Sequence, residues 1–320
     1  MVRQRSAKPP FAGSIPAVAS RILRISVPPK FSFPATVESH GWYLLAPFRW
    51  SRKEKVLRRA ETLDGKVFDL EIRYRRGHLE VRGAPEPSPA LEGRLRRMFQ
   101  LGVDTTEFVE LSRDSPAHDW VEESGFGRLL CGSTPFEDMM KIIATTNTTW
   151  GQTVRMVGLL VDKCGRRSPS GQPAFPTPAD VARFPPEELQ EDCRLGYRAK
   201  TIHALATGVA TGAIDLNALS DATQATEGLF SSYKTLPGIG PYGAAHLLAM
   251  DGRHDFIAVD SEFRRFVRGT YHKGRRVADS SMLRRYAKWG RWKYLAYWAE
   301  LWNSVAERLQ PDNKESSGGK

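Results

Sequence analysis

The run Leu236-Pro237-Gly238-Ile239-Gly240-Pro241-Tyr242-Gly243-Ala244-Ala245 constrains this chain more than any other stretch. Two closely spaced glycines allow backbone conformations closed to other residues, while Leu236 and Ile239 supply apolar anchors for the turn. The spacing predicts a tight hairpin between two helices, with the first amides of the second helix turned outward. Those amides and the helix dipole together make a phosphate clamp, although a plain helix–helix turn uses the same residue types. Further on, Asp260 closes the apolar run Phe256-Ile257-Ala258-Val259 and precedes Ser261-Glu262-Phe263. An aspartate so placed caps a helix, or stands as the ionised carboxylate of a catalyst.

Charge bears on the partner. The 320 residues carry 47 Lys and Arg against 36 Asp and Glu, a net charge of +11. The excess is segregated: residues 264–293 hold eleven basic side chains and one acid, Asp279, and residues 1–30 hold six with no acid. Such segregation is the footprint of a face for a polyanion, with nucleic acid the usual one, and a solvated basic helix is the plainer reading. Cys131, Cys164 and Cys193 form no Cys-x-x-Cys pair and are expected as reduced, buried thiols. The seven histidines contain no metal-ligand spacing, so no metal site is expected. No apolar run is long enough for a membrane-spanning helix, and the chain is expected to be soluble.

Four segments follow from the patterning. Residues 1–30, basic and proline-rich, are expected as a flexible arm; an organelle transit peptide has a similar composition. In residues 31–130 Phe68, Leu70, Ile72 and Tyr74 alternate with charged residues, and Asp64-Gly65 and Arg76-Gly77 are hairpin turns, which predicts an antiparallel sheet followed by helices. Residues 131–306 read as helices, with caps at Ser133-Thr134-Pro135 and Thr177-Pro178, and residues 307–320 as a disordered tail. The fold class is therefore α+β and mostly α-helical: an N-terminal antiparallel sheet lobe, then an all-helical lobe with the hairpin, and a cleft between them.

The hairpin run and the spaced aspartate in FIAVD resemble the helix-hairpin-helix superfamily of base-excision DNA glycosylases. Gly127-Arg128-Leu129-Leu130, Pro135-Phe136-Glu137, the stretch around Asn147 and Leu195-Gly196-Tyr197-Arg198 are similar to the 8-oxoguanine glycosylases of that family. The aromatic end, Trp289 to Trp302, is also similar to the 3-methyladenine glycosylases. The resemblance covers residues 30–305 and implies the following roles. Asp260 is the carboxylate that stabilises an oxocarbenium-like sugar and assists water. Asn147 fills the gap left by an extruded base, Tyr197 wedges the duplex and Arg198 contacts the orphaned partner base. Leu236, Gly238, Ile239, Gly240, Tyr242 and Gly243 grip the DNA backbone, with Arg264 beside them.

Departures from the family matter equally. The lysine that bifunctional members use to attack the sugar is Tyr242 here, and a phenol cannot form a Schiff base, so no lyase step is expected. The cysteines of an iron–sulfur loop are absent. Residues that contact 8-oxoguanine are replaced by Tyr294 and Trp298, and the family's cysteine in the second hairpin helix by His246; these three form the expected base pocket. The expectation is a monofunctional DNA glycosylase that flips a modified base out of duplex DNA and leaves an abasic site, acting on an alkylated purine whose positive ring stacks on tryptophan. Oxidised purines or a bulky modified cytosine of foreign DNA are alternative substrates. A non-catalytic binder of distorted duplex and an RNA-binding protein are alternatives of another class. No cofactor is expected beyond a monovalent cation on the hairpin backbone, and the resemblance implies a monomer. The implied compartment is the cytoplasm or nucleoid in a bacterium, the nucleus or an organelle in a eukaryote.

Overall fold

The computed structural model describes residues 22–84, 88–216, 218–220 and 223–309; most of the expected arm and tail, 1–21 and 310–320, lies outside them. Five strands, β1 (Leu23–Ser26), β2 (Arg49–Ser51), β3 (Val56–Leu63), β4 (Lys66–Arg75) and β5 (His78–Arg82), form an antiparallel sheet in the order β1-β5-β4-β3-β2. Both predicted hairpins form. Asp64 and Gly65 have φ of 46° and 75°, Arg76 and Gly77 48° and 78°, so each two-residue turn has the left-handed pair that matches the twist of its strands. The sequence reading places Leu23–Ser26 in the basic arm, and the structure corrects this. Leu23 and Ile25 point into the core opposite Val81 and Leu79, and only Arg24 and Ser26 face outward. Four residues are too short to show that alternation against a basic background.

Helix α1 (Phe33–Val37), a 3₁₀ turn (Gly41–Leu44) and α2 (Pro89–Met98) complete the sheet lobe. Ser88 caps α2, and Leu91, Leu95 and Met98 recur on its inner face to pack on Leu57, Leu70 and Ile72 of the sheet. The helical part comprises α3 (Thr106–Arg113), α4 (Trp120–Ser124), α5 (Pro135–Thr145), α6 (Trp150–Cys164), α7 (Pro178–Ala182), α8 (Pro186–Asp192), α9 (Arg198–Ala210), α10 (Thr226–Tyr233), α11 (Pro241–Met250), α12 (Ser261–His272), α13 (Asp279–Arg284) and α14 (Lys293–Leu309). The caps read from the sequence are present: Thr134 accepts from the Glu137 amide, and Thr177 forms a reciprocal box with Asp180. Helix α14 continues to Leu309, past the expected end at 306. The three cysteines are buried and unbridged. No helix of the described residues is long and apolar enough to cross a membrane.

Charge joins the two lobes. Arg59 of β3 is 1% exposed and donates to Glu137 of α5 at 2.9 Å, and Lys141, one turn further on, meets Glu137 at 2.6 Å. Arg97 of α2 pairs with Asp138 and, at 3.4 Å, with Asp251. Burying such groups is tolerable only because each meets an opposite charge, and together they tie the sheet lobe to α5 and α11.

Candidate active site and nucleic-acid interface

Helices α10 and α11 and the turn between them form the predicted hairpin. Leu236 and Ile239 are buried, and the Ile239 amide donates to the Leu236 carbonyl at 3.2 Å to close the turn. Gly238 has φ of 75°, and a β-carbon there would overlap Thr201 of α9; the position needs glycine for both conformation and space. Gly240 caps α11 without a side chain, so the first amides of α11 meet no capping oxygen and remain available to an anion. Gly243 serves packing: a β-carbon there would stand 3.2 Å from Ile142 of α5.

Asp260 is both cap and candidate catalyst. Its Oδ1 accepts the Phe263 amide at 2.7 Å and starts α12, which fixes the carboxylate at the head of that helix. Burial raises its pKa above the ordinary aspartate value, against the pull of the Phe263 amide and Arg264. Among the described residues no Lys or Arg forms an ion pair with it. Tyr242, Tyr294 and Tyr297 all feel its charge, and burial holds Tyr242 at about 12, so these phenols stay neutral beside the carboxylate.

The base-pocket residues come together as an aromatic box. Tyr294 and Trp298 of α14 stack at 5.8 Å with 9° between planes, and the Tyr294 hydroxyl lies 2.8 Å from His246 Nδ1. Tyr242 stands edge-on to His246 at 4.5 Å. The sequence reading missed the far wall. His40 packs edge-on against Trp298 and Trp42, its Nε2 lies 2.7 Å from the Leu130 carbonyl, and Trp298 Nε1 donates to the Ser39 carbonyl at 2.9 Å. The signal was the histidine–glycine–tryptophan cluster ahead of the strands, which no periodicity explains. Burial lowers His40 to about 3 and His246 to about 4, so both rings are neutral at neutral pH. Trp289, Trp292 and Tyr297 belong to the core, and Tyr294, 1% exposed, is buried with them, which leaves Trp298 as the partly exposed ring of the stacked pair.

Asn147 and Tyr197, fifty positions apart, meet: Asn147 Nδ2 donates to the Tyr197 hydroxyl at 3.1 Å. Asn147 has φ of 46°, and Tyr197 is 61% exposed, which leaves both at the surface. Thr145 lies 3.4 Å from the Tyr242 hydroxyl and ties this loop to the hairpin. Arg198 departs from its expected role. Its guanidinium is buried, donates to the carbonyls of Thr146 at 3.1 Å and Asn147 at 3.2 Å, and lies under the Tyr197 ring, so it shapes the loop rather than facing a partner. Arg264 is held in a two-point pair with Asp279 at 2.7 Å and 2.9 Å. Arg265 pairs with Glu262 and Arg291 with Glu107, so carboxylates neutralise part of the basic segment. Among the described residues no group of three His, Cys, Asp or Glu could hold a metal ion.

Residues 140–291 match the model of the HhH-GPD superfamily base excision DNA repair protein. The chain is 26% identical over 259 residues to the probable N-glycosylase/DNA lyase of Methanothermobacter thermautotrophicus, covering 73% of this chain and 81% of that one. Its fold is similar to that of 3-methyladenine DNA glycosylase from Archaeoglobus fulgidus, with a TM-score of 0.71 at 20% identity over 89% of this chain and 99% of that one. It is similar also to the Clostridium acetobutylicum 8-oxoguanine glycosylase/lyase bound to DNA, with a TM-score of 0.69 at 17% identity over 88% and 93%.

Proposed function

We propose, from the match of residues 140–291 to the model of the HhH-GPD superfamily base excision DNA repair protein, that the chain is a member of that superfamily and a monofunctional DNA glycosylase acting on alkylated purines in duplex DNA. It works as a monomer that grips the backbone with the α11 amides and fills the gap of the extruded base with Asn147 and Tyr197.

The single observation that carries the substrate is the absence of a good proton donor around the box. A neutral purine needs protonation as it leaves, whereas a ring-alkylated purine already carries the positive charge and departs neutral. His40 at about 3 and His246 at about 4 are unprotonated at neutral pH, and Tyr242 at about 12 is a weak acid. Such a site neither donates to a leaving base nor repels a cationic one, and the partly buried ring of Trp298 favours a positive ring by cation–π attraction. Asp260, once ionised, stabilises the positive sugar and orients water onto it.

A lyase step needs an amine at the sugar. Helix α11 has no lysine, and Lys141 is fully buried, held by Glu137 at 2.6 Å beneath the rings of Phe48 and Trp42. The test incubates wild type and Asp260→Asn with duplexes carrying alkylated or oxidised bases, reads released base by mass spectrometry, and scores strand breaks before and after alkali. Release of alkylated purine by wild type alone, with breaks only after alkali and no borohydride-trapped adduct, is expected. Release of 8-oxoguanine alone would overturn the substrate, a trapped adduct the monofunctional reading, and tight binding without any release the enzyme.

A further inference from the structure

We infer that Trp150 contacts the substrate: with Leu44 it forms an apolar ledge at the mouth of the aromatic box, against which the extruded nucleotide is held. The inference rests on the glycosylase reading and adds a contact that reading does not contain.

Few large apolar side chains are exposed among the described residues. They are Ile22, Leu44, Tyr74, Trp150 and Tyr197. Trp150 opens α6 three residues after Asn147, and the capping box between Thr149 and Gln152 fixes where that helix begins. Its ring lies over Gly41, where a β-carbon would stand 2.5 Å from Trp150 Cζ2. Gly41 has no left-handed φ, so glycine is required there for close approach of the indole and not for backbone conformation. In the 3₁₀ turn Gly41–Leu44, residues three apart eclipse one another, so half-exposed Leu44 extends the surface on which the indole sits.

The turn has two sides. His40, its cap, packs on Trp298 of the aromatic box and on Trp42, while Gly41 lies under the indole. Beyond Trp150 lie Asn147 and, bonded to it, Tyr197. The indole is thus linked on one side through three residues of chain to the Asn147–Tyr197 pair and on the other through Gly41 to His40, which packs on Trp298, the direction in which an extruded nucleotide would travel. Trp150 is 41% exposed, so one part of a costly apolar ring is left to solvent while another is seated on backbone. A seated indole with a free face is a stacking platform, and a base stacked on an aromatic ring gains about 1–3 kcal/mol whatever its identity. The ledge thus holds an extruded nucleotide without choosing among bases, and choice is left to the box behind it.

The test uses the full chain carrying Asp260→Asn and three otherwise identical duplexes, containing 7-methylguanine, 8-oxoguanine or a tetrahydrofuran abasic analogue. Adding Trp150→Ala should weaken binding to the tighter of the two base-containing duplexes about tenfold, and leave the tetrahydrofuran duplex, which has no base to stack, within about twofold. Trp150→Phe should restore most of the loss. Gly41→Ala keeps the indole but pushes it off its seat, and should give the same selective loss to a smaller degree. An equal loss on all three duplexes would make Trp150 a support for α6, and no loss on any would remove the ledge altogether. Failure of the unmodified Asp260→Asn chain to prefer any of the three over undamaged duplex would instead sink the glycosylase reading, and the ledge with it.

Discussion

In the proposed reaction Asp260 serves structure and chemistry together. Capping α12 occupies Oδ1 and locks the carboxylate in place, while burial makes its charge costly and hence reactive towards a developing cation. Because only the ionised form stabilises the sugar cation, the single-turnover rate should rise with pH through a midpoint above the ordinary aspartate value of 3.8. A rate profile that levels off at or below that value would contradict the burial argument. Arg198 makes the opposite case. Its two donated bonds to the Asn147 loop make it a brace, so Arg198→Ala should lower stability by about 1–3 kcal/mol in urea denaturation and weaken binding to abasic duplex as the loop loosens. Arg198→Lys should recover little, because a single ammonium cannot span both carbonyls as the planar fork does. Unchanged stability with lost binding would return Arg198 to the DNA face. The sequence displays a residue's charge, and not the carbonyls that will consume it.

At the scale of elements, the hairpin depends on a close fit between its turn and α9. Gly238→Ala forces a β-carbon into both a left-handed backbone and Thr201, and should cost about 1–3 kcal/mol with loss of duplex binding. Thr201→Ser removes the methyl that would be struck while leaving the φ penalty, so the double variant should regain part of the stability in thermal melts. No recovery would place the whole cost in the backbone. The hairpin was legible in the sequence because its determinants are local: glycines, anchors and a proline within ten residues. The β3–β4 and β4–β5 hairpins were legible for the same reason. The turn at Gly41–Leu44 was not. Its value arises only when Trp298 reaches the Ser39 carbonyl and Trp150 settles on Gly41, contacts more than a hundred positions distant in the chain. Edge strand β1 was hidden for a related reason, since its partner β5 lies far downstream and its four residues carry no pattern alone.

For the whole molecule, the uncharged pocket has a thermodynamic consequence. Burial holds His40 and His254 at about 3 and His246 at about 4, against 6.5 for an exposed histidine. As pH falls below 6.5 the unfolded chain takes up these three protons that the folded chain refuses, His118, also lowered by burial, adds to the difference, and stability is lost with acid. Each proton contributes about 1.4 kcal/mol per pH unit, so the three together approach a slope of about 4 kcal/mol per unit as pH falls towards 5. Carboxyls act in a lower window and in both directions. Glu137, depressed to about 2 within its cluster, adds further loss as pH falls below 4.5, while Asp138, Asp251 and Asp260, raised by burial, bind protons more readily when folded and oppose it. The histidine slope is therefore cleanest just below neutrality, where urea midpoints at successive pH values will measure it. His254 is the side chain to change. Its ring stacks between Trp292 and Tyr294, and neither nitrogen has a hydrogen-bond partner. His254→Phe keeps an aromatic ring in the stack, removes one refused proton, and should reduce the slope by about a third. An unchanged slope would mean that this histidine titrates in the folded chain, and that the interior around the box admits charge after all.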